Sequence, residues 1–256
     1  MPKFSELQSI IWRYAQRSGP STLNSGIIAA WPLDDSGTGD RFDYSGNEYD
    51  LTNINGCSSI LGEIGTYMIE SSDQYLEIEY ADATGLWQDD EDEISISASF
   101  KIFEWPVTNT ANMPVLSLWN SNTNHAGVAI YPICEVCDVP RAIIVHASDD
   151  GVGADANRID GPVAQLDIWY HVLFRYDGSF LRLSVNGEDS TPVAHSTGIH
   201  RSTTVPWTVG RYIPPNGIPI YADILIKNVN IWNRSLSDSE VAEWYNSGEP
   251  KAIPFI

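Results

Sequence analysis

The sequence predicts an all-β chain of antiparallel strands stacked as a two-sheet sandwich. Three observations carry this. Residues Ile94-Ser95-Ile96-Ser97-Ala98-Ser99-Phe100-Lys101-Ile102 alternate apolar and polar without a break, the period of a strand. Two turn pairs, Asp177-Gly178 and Asn186-Gly187, are each flanked by alternating hydrophobic runs, the signature of tight hairpins. Aromatic residues make up 11% of the 256 residues, with 19 Gly and 15 Pro, which suits short strands joined by turns.

Taken in order, residues Phe4 to Arg17 place Phe4, Leu7, Ile10, Ile11 and Tyr14 at helical spacing. Ser18-Gly19-Pro20-Ser21 then breaks the pattern, so residues 1–25 read as an N-terminal helical arm. The body, residues 26–248, opens at Gly26 with Ile27, Ala29, Trp31 and Leu33 on one side of a strand. A polar loop from Asp34 leads to Leu51. In Tyr75–Tyr80, Leu76, Ile78 and Tyr80 share one face, and Glu77 and Glu79 share the other. The acidic run Asp89 to Glu93 reads as a solvated loop. Val115–Trp119, Val128–Ile133 and Ala142–Ala147 are three further strands. Val172, Phe174 and Tyr176 face inward before Asp177-Gly178, and Leu181, Leu183 and Val185 face inward after it. Near the end, Ser237 and Glu240 form an S-x-x-E capping box, with Leu236 and Val241 placed as a hydrophobic staple. Val241, Trp244 and Tyr245 give the helix one apolar face, and Gly248 is positioned to close it. Residues 249–256 form a short tail.

Charge narrows the function classes. The chain carries 34 acids against 14 bases, a net charge of −20, which disfavours nucleic acid and anionic lipid as partners. No apolar run approaches a membrane span, so no insertion is expected. Glu6, Gln8, Arg13 and Arg17 interrupt any signal-peptide-like core at the start. The motifs of zinc proteases, serine hydrolases and P-loop nucleotide-binding proteins are missing.

Four phrases also resemble, in order, the laminin G-like domains of the concanavalin A-like superfamily. They are Asp43-Tyr44-Ser45-Gly46-Asn47, the passage from Trp169 through His171 to Asn186-Gly187, Val209-Gly210-Arg211, and Ile231-Trp232-Asn233-Arg234 with Tyr245-Asn246-Ser247-Gly248. The resemblance spans about residues 26–248 and implies a jelly-roll topology. It also implies a non-enzymatic binding or adhesion module for glycans or proteins. An acidic chain with an extra arm and no classical leader suits a virion surface, capsid decoration or tail-fibre protein. There the arm would dock on other virion proteins, and an extracellular setting is the other expectation. A glycoside hydrolase or lyase of the same fold is the alternative; Glu77 and Glu79 would be its carboxylates.

Site candidates follow. Trp87, Trp105, Trp119 and Trp207 lie at strand ends or near loops, where an exposed indole stacks on a sugar face. Trp31, Trp169, Trp232 and Trp244 fall inside the family phrases and are expected in the core, and His171 is expected as a packed residue. The resemblance implies Ca2+, with Asp43 and Asn47 as hard oxygen donors. Lys227 stands where the family often has an acid, and it is a candidate to replace the ion by pairing with Asp43. Cys134 and Cys137 form an isolated C-x-x-C, expected as a local disulfide or two thiols; Cys57, His125 and His146 are the available zinc partners.

Overall fold

The computed structural model describes residues 21–251. Residues 35–36, 61, 80–81, 84, 87–92, 106–110, 135–141, 154–155 and 203, and the side chains of Ala111, Ser121 and Cys134, are excepted. The helical arm over residues 4–17, Trp87 and the Cys134–Cys137 pair lie outside what is described.

Two large antiparallel sheets form a sandwich. In the front sheet the strands run Ile27–Trp31, Ile224–Trp232, Ile94–Ile102, Trp169–Tyr176, Phe180–Val185 and Glu188–Asp189 across the layer. In the back sheet they run Asn157–Val163, Ala142–Ala147, His125–Cys134, Leu116–Asn120, Trp207–Val209, Tyr75–Ile78 and Thr52–Ile54. Neighbours that are distant in sequence, such as Ile27–Trp31 and Ile224–Trp232, make this the crossed connectivity of a jelly roll.

The core lies between the inner faces. Ile94, Ile96, Ala98, Phe100 and Ile102 meet Val172, Phe174, Tyr176, Leu181, Leu183 and Val185 from the front sheet. Leu76, Ile78, Leu116, Leu118, Val128, Ile130, Ile143 and Val145 close on them from the back. Burying each such side chain stabilises the sandwich by roughly 1.5–3 kcal/mol. The hairpin at Asn186-Gly187 places both residues at positive φ, +50° and +80°, and joins Val185 directly to Glu188. This is the two-residue turn whose twist matches the strands.

The outer face of the front sheet differs from expectation. Alternation assigns Ser95, Ser97, Ser99 and Lys101 to solvent, yet all four are buried. A second layer covers part of that face. The helix Asp238–Tyr245 packs Val241 and Trp244 on Leu173 and Trp232, with Leu236 beside them. Its capping box forms as predicted, Ser237 accepting from the Glu240 amide and Glu240 accepting from the Ser237 amide. The helix ends on Asn246, whose left-handed φ of +46° sends its amide to the Ala242 carbonyl; the stop falls two residues before Gly248.

The boundary at residue 26 also moves. Leu23 is fully buried against Trp232 and Trp244, and its carbonyl accepts from Trp232 Nε1 at 2.7 Å. Arg234 donates to the Ser25 and Thr22 carbonyls. Residues 21–25 therefore belong to the sandwich.

Candidate functional site

The site stands at one end of the back sheet, where the chain leaves it to cover its outer surface. Gly210, at φ +83°, turns the backbone out of the Trp207–Val209 strand. That φ favours glycine, and a Cβ there would lie 2.1 Å from Met68 Sδ, so any other residue would also have to displace the Met68 side chain. Arg211–Tyr212 and Ile220–Tyr221 then pair as a small ribbon. Tyr212 packs under the ribbon on Trp119 and Tyr131, forming an aromatic cluster outside the sheet. Tyr131 Oη lies 2.8 Å from His146 Nδ1; burial pushes that imidazole down to about 4 and raises the phenol.

A cavity of about 150 Å³ opens between the ribbon base, the end of the Leu116–Asn120 strand and the loop before Trp207. Trp119, Asn120, Thr204, Val205, Thr208 and Arg211 line it. Its wall is mostly apolar but carries polar groups that are incompletely satisfied. Trp119 Nε1, Asn120 Oδ1 and Arg211 Nε are buried with no hydrogen-bond partner. Close by, His125 is paired in register with Asn120, and its ring stacks on His200 at 6.2 Å. Here too His125 Nδ1 and His200 Nε2 are without partners. Among the described residues, five of the seven orphaned buried polar atoms gather at this end of the sheet. Folded proteins pair nearly all such groups, so a cluster of orphans marks where a ligand or ordered water completes the bonding.

Arg211 is positioned from several sides. Its carbonyl accepts from the hydroxyls of Ser117 and Thr208. Its guanidinium sits 4.7 Å from the Tyr75 ring centre and donates to Glu77 at 3.4 Å. Burial first, and the neighbouring Glu79 next, raise the Glu77 carboxyl above its ordinary range, while Arg211 opposes the shift.

The four sequence-predicted tryptophans separate here. Trp119 and Trp207 are 2% and 4% exposed, so neither offers a flat face to a sugar, contrary to expectation. Trp207 is in the sandwich core. Trp119 lines the cavity, and its buried N–H has no partner. Trp105 is half-buried against the core, and Trp87 lies outside the described residues. Asn120 and Arg211 were missed. Arg211 closes the phrase Val209-Gly210-Arg211, which gave it no site role, Asn120 carries no motif, and only the ribbon's fold-back brings them together.

Asp43 and Asn47 serve the loop in which they lie. Asp43 Oδ1 accepts from the Ala30 and Ser45 amides at 2.8 and 2.9 Å. Its Oδ2 accepts from Ser45 Oγ and the Tyr49 amide. Asn47 donates to the Ile28 carbonyl. A carboxylate filled by N–H and O–H donors does not fit a calcium ligand, and no cluster of three metal-ligating side chains occurs among the described residues. A cation is nevertheless built into this region. Arg41, 1% exposed, donates to the Gly37, Gly39 and Cys57 carbonyls and to Thr66 Oγ1. Lys227 does not replace an ion at Asp43; it rests 4.2 Å over the Trp169 ring. Cys57 is a free thiol in the core, pushed up to about 12 by burial.

The fold is that of a concanavalin A-like domain, and comparison agrees. The family model for the concanavalin A-like lectin/glucanases superfamily matches residues 70–242, and the chain belongs to that superfamily. No curated protein matches in sequence. Solved structures with the same fold include three from the botulinum neurotoxin group. A crystal structure of HCR/D-Sa-GBL1/C has TM-score 0.65 and 16% identity, covering 88% of this chain and 53% of that one. The type C neurotoxin, whose cell entry depends on interaction with two ganglioside molecules, has TM-score 0.64 and 14% identity, covering 88% and 51%. The neurotoxin DC binding domain, in complex with rat synaptotagmin II, has TM-score 0.64 and 13% identity, covering 88% and 52%. This chain thus spans about half the length of each. No helix among the described residues is long and apolar enough to cross a membrane.

Proposed function

We propose that this chain is a non-enzymatic glycan-binding module, with one sugar ring seated in the cavity beside Trp119. The observation that carries the reading is the orphaned trio in one concave wall: two N–H donors, Trp119 Nε1 and Arg211 Nε, and one amide, Asn120. A sugar hydroxyl both donates and accepts, so adjacent hydroxyls satisfy such a wall, and a purely apolar ligand does not. The ganglioside dependence of the type C neurotoxin is consistent with glycan recognition on this fold, although the shared fold alone assigns no ligand. The reading holds whether the chain works on a virion surface or in another extracellular setting.

The test is a broad glycan array followed by titration of the best hit against Trp119→Phe. Binding that the substitution weakens at least tenfold supports the reading. An array without a reproducible hit overturns it.

A hydrolase is the second reading, favoured by one observation: Glu77 is a carboxyl of raised pKa beside the cavity wall. Its geometry argues against catalysis. Arg211 holds Glu77, and Glu79 on the same edge is exposed to solvent. Release of reducing sugar from a bound glycan, lost in Glu77→Gln, would establish this alternative.

A further inference from the structure

One edge of the front sheet carries an exposed aromatic pair that the cavity does not explain. The edge strand is Ile27–Trp31, and the loop after it folds back along its open side. The Tyr44 amide donates to the Ala30 carbonyl, and Ser45 Oγ and Asn47 Nδ2 donate to the Ile28 carbonyl. Arg41 and Asp43 turn inward, one into its carbonyl cage and the other onto the Ala30 amide. Phe42 and Tyr44 alternate with them and face outward, 58% and 52% exposed. Aromatic surface left this open invites cover by another apolar element. The rim of the pair is acidic. Residues 34–51 hold six acids and one base, and that base is the buried Arg41. Asp34, Asp40, Glu48 and Asp50 are all exposed.

The chain itself supplies a segment of complementary character, and it enters at this edge. Phe4, Leu7, Ile10, Ile11 and Tyr14 recur at the spacing of one helical face. Arg13 and Arg17, one turn apart, would flank that stripe beside Ile10. With Lys3 they outnumber Glu6, the single acid before Ser21. A stretch of this length is a marginal helix alone and draws its stability from a surface to pack on. Its point of departure is fixed. Ser21 Oγ donates to Glu243 at 2.7 Å, and Leu23 is buried beside Trp232. From there the chain runs directly into Ile27–Trp31. Ala30, where the Tyr44 amide is bonded, lies three strand residues beyond Ile27, roughly 10 Å. A helix over residues 4–17 spans roughly 20 Å, and Ser18-Gly19-Pro20 provides the turn. The aromatic pair is therefore within reach. Other exposed apolar side chains are less well placed. Phe180 is on the opposite edge of the sheet. Leu166 and Ile168 lead into Trp169, at the end of the sheet away from Ser21. Trp169 itself was expected in the core. It is half-buried on the outer face there, because Tyr170, Val172 and Phe174 take the inward positions of its strand.

We propose that residues 4–17 dock as an amphipathic helix on the Phe42–Tyr44 surface of their own chain. The apolar stripe covers the aromatic pair, and Arg13 and Arg17 face the acidic rim. Apolar burial supplies the attachment, and opposite charge sets the orientation and makes it sensitive to salt. The tether selects the occupant. It holds the segment at an effective concentration on the order of millimolar, which a second copy at micromolar concentration does not match. The arm then covers its own sandwich, in place of the virion partner that the sequence suggested.

Hydrogen exchange followed by mass spectrometry on the full chain tests this. Amides of residues 7–17 are expected to exchange at least tenfold more slowly than those of an unstructured peptide. In Phe42→Ser/Tyr44→Ser that protection should be lost, while Ile94–Ile102 stays protected and shows that the sandwich is folded. Arg13→Glu/Arg17→Glu should reduce the protection more at low salt than at about 0.5 M sodium chloride. Absence of protection in the native chain, or equal protection in Phe42→Ser/Tyr44→Ser, overturns the proposal. Protection that rises with protein concentration also overturns it, and assigns the segment to a second copy.

Discussion

Asp43 Oδ1 accepts the Ala30 amide at 2.8 Å, which ties the loop after the first strand back onto that strand. The same carboxylate takes the Ser45 and Tyr49 amides, so one side chain organises the turn and leaves no lone pair directed at an ion. Asp43→Ala strands these amides and should cost about 2–3 kcal/mol in urea unfolding. Millimolar calcium or a chelator should leave the melting temperature unchanged. A calcium-dependent rise that disappears in Asp43→Ala would restore the ion to this loop.

Arg41 makes a second prediction about the same region. Its guanidinium is enclosed by carbonyls of Gly37, Gly39 and Cys57 and by Thr66 Oγ1. Arg41→Met keeps much of the volume and removes every donor, leaving several buried acceptors unpaired. The expected loss is about 3 kcal/mol or more. Arg41→Lys should recover only part of it, since a point-like ammonium cannot span the cage. Equal stability of Arg41→Met and the native chain would show that the cage contributes nothing.

These loops show how far the sequence could be read. Strands with strict alternation, such as Ile94–Ile102, and signals closed within a few residues, such as the Ser237–Glu240 capping box, were legible because local chemistry determines them. The strand Ile224–Trp232 was harder. Its bulge brings both Ile226 and Val229 into the core, which no simple alternation predicts. The buried serines of the front sheet read as solvent-facing because nothing local announces that Asn230, His171 and the chain at Arg234–Leu236 will cover them. The cavity was least legible. Trp119 was singled out for stacking, yet it is buried where it lines the cavity. Asn120 and Arg211 meet only through the outward turn at Gly210.

Acid should act through Glu240. Hydrogen bonding by Arg234, above all, and by Ser237 holds this carboxyl down to about 2, against an ordinary value of 4.5. A depressed carboxyl stabilises the fold above its unfolded value and loses that contribution as pH falls towards the folded one. The pair should therefore weaken between about pH 4.5 and 2. Glu240→Gln should be less stable than the native chain at neutral pH, and the difference should shrink towards pH 2. A constant difference across that range would contradict the assignment.

Histidine titration operates at higher pH and with the same sign. His146 and His171 are both pushed down to about 4, mainly by burial. In the unfolded chain they protonate near 6.5, so below that value the unfolded state takes up protons that the folded state refuses. Stability from this source is complete above about pH 6.5 and declines as the pH falls to about 4. Chemical unfolding at pH 7, 6, 5 and 4 should show the decline, and the double variant His146→Gln/His171→Gln should flatten it. Ring resonances that titrate near 6.5 in the folded chain would refute it.

The final prediction separates two tryptophans that the sequence places in one class. Trp207 lies in the core, and Trp119 lines the cavity with its N–H unpaired. Phenylalanine removes that N–H from Trp119 and leaves an aromatic ring among Tyr131, His146 and Tyr212. Trp119→Phe should therefore shift stability by about 1 kcal/mol or less while weakening glycan binding about tenfold. Trp207→Phe removes core volume and should cost about 1–3 kcal/mol, with little change in binding once the chain is folded. Measuring the melt and the dissociation constant for both variants checks the contrast directly. If Trp207→Phe were the one to lose ligand, recognition would belong to another surface and the cavity would be a packing defect.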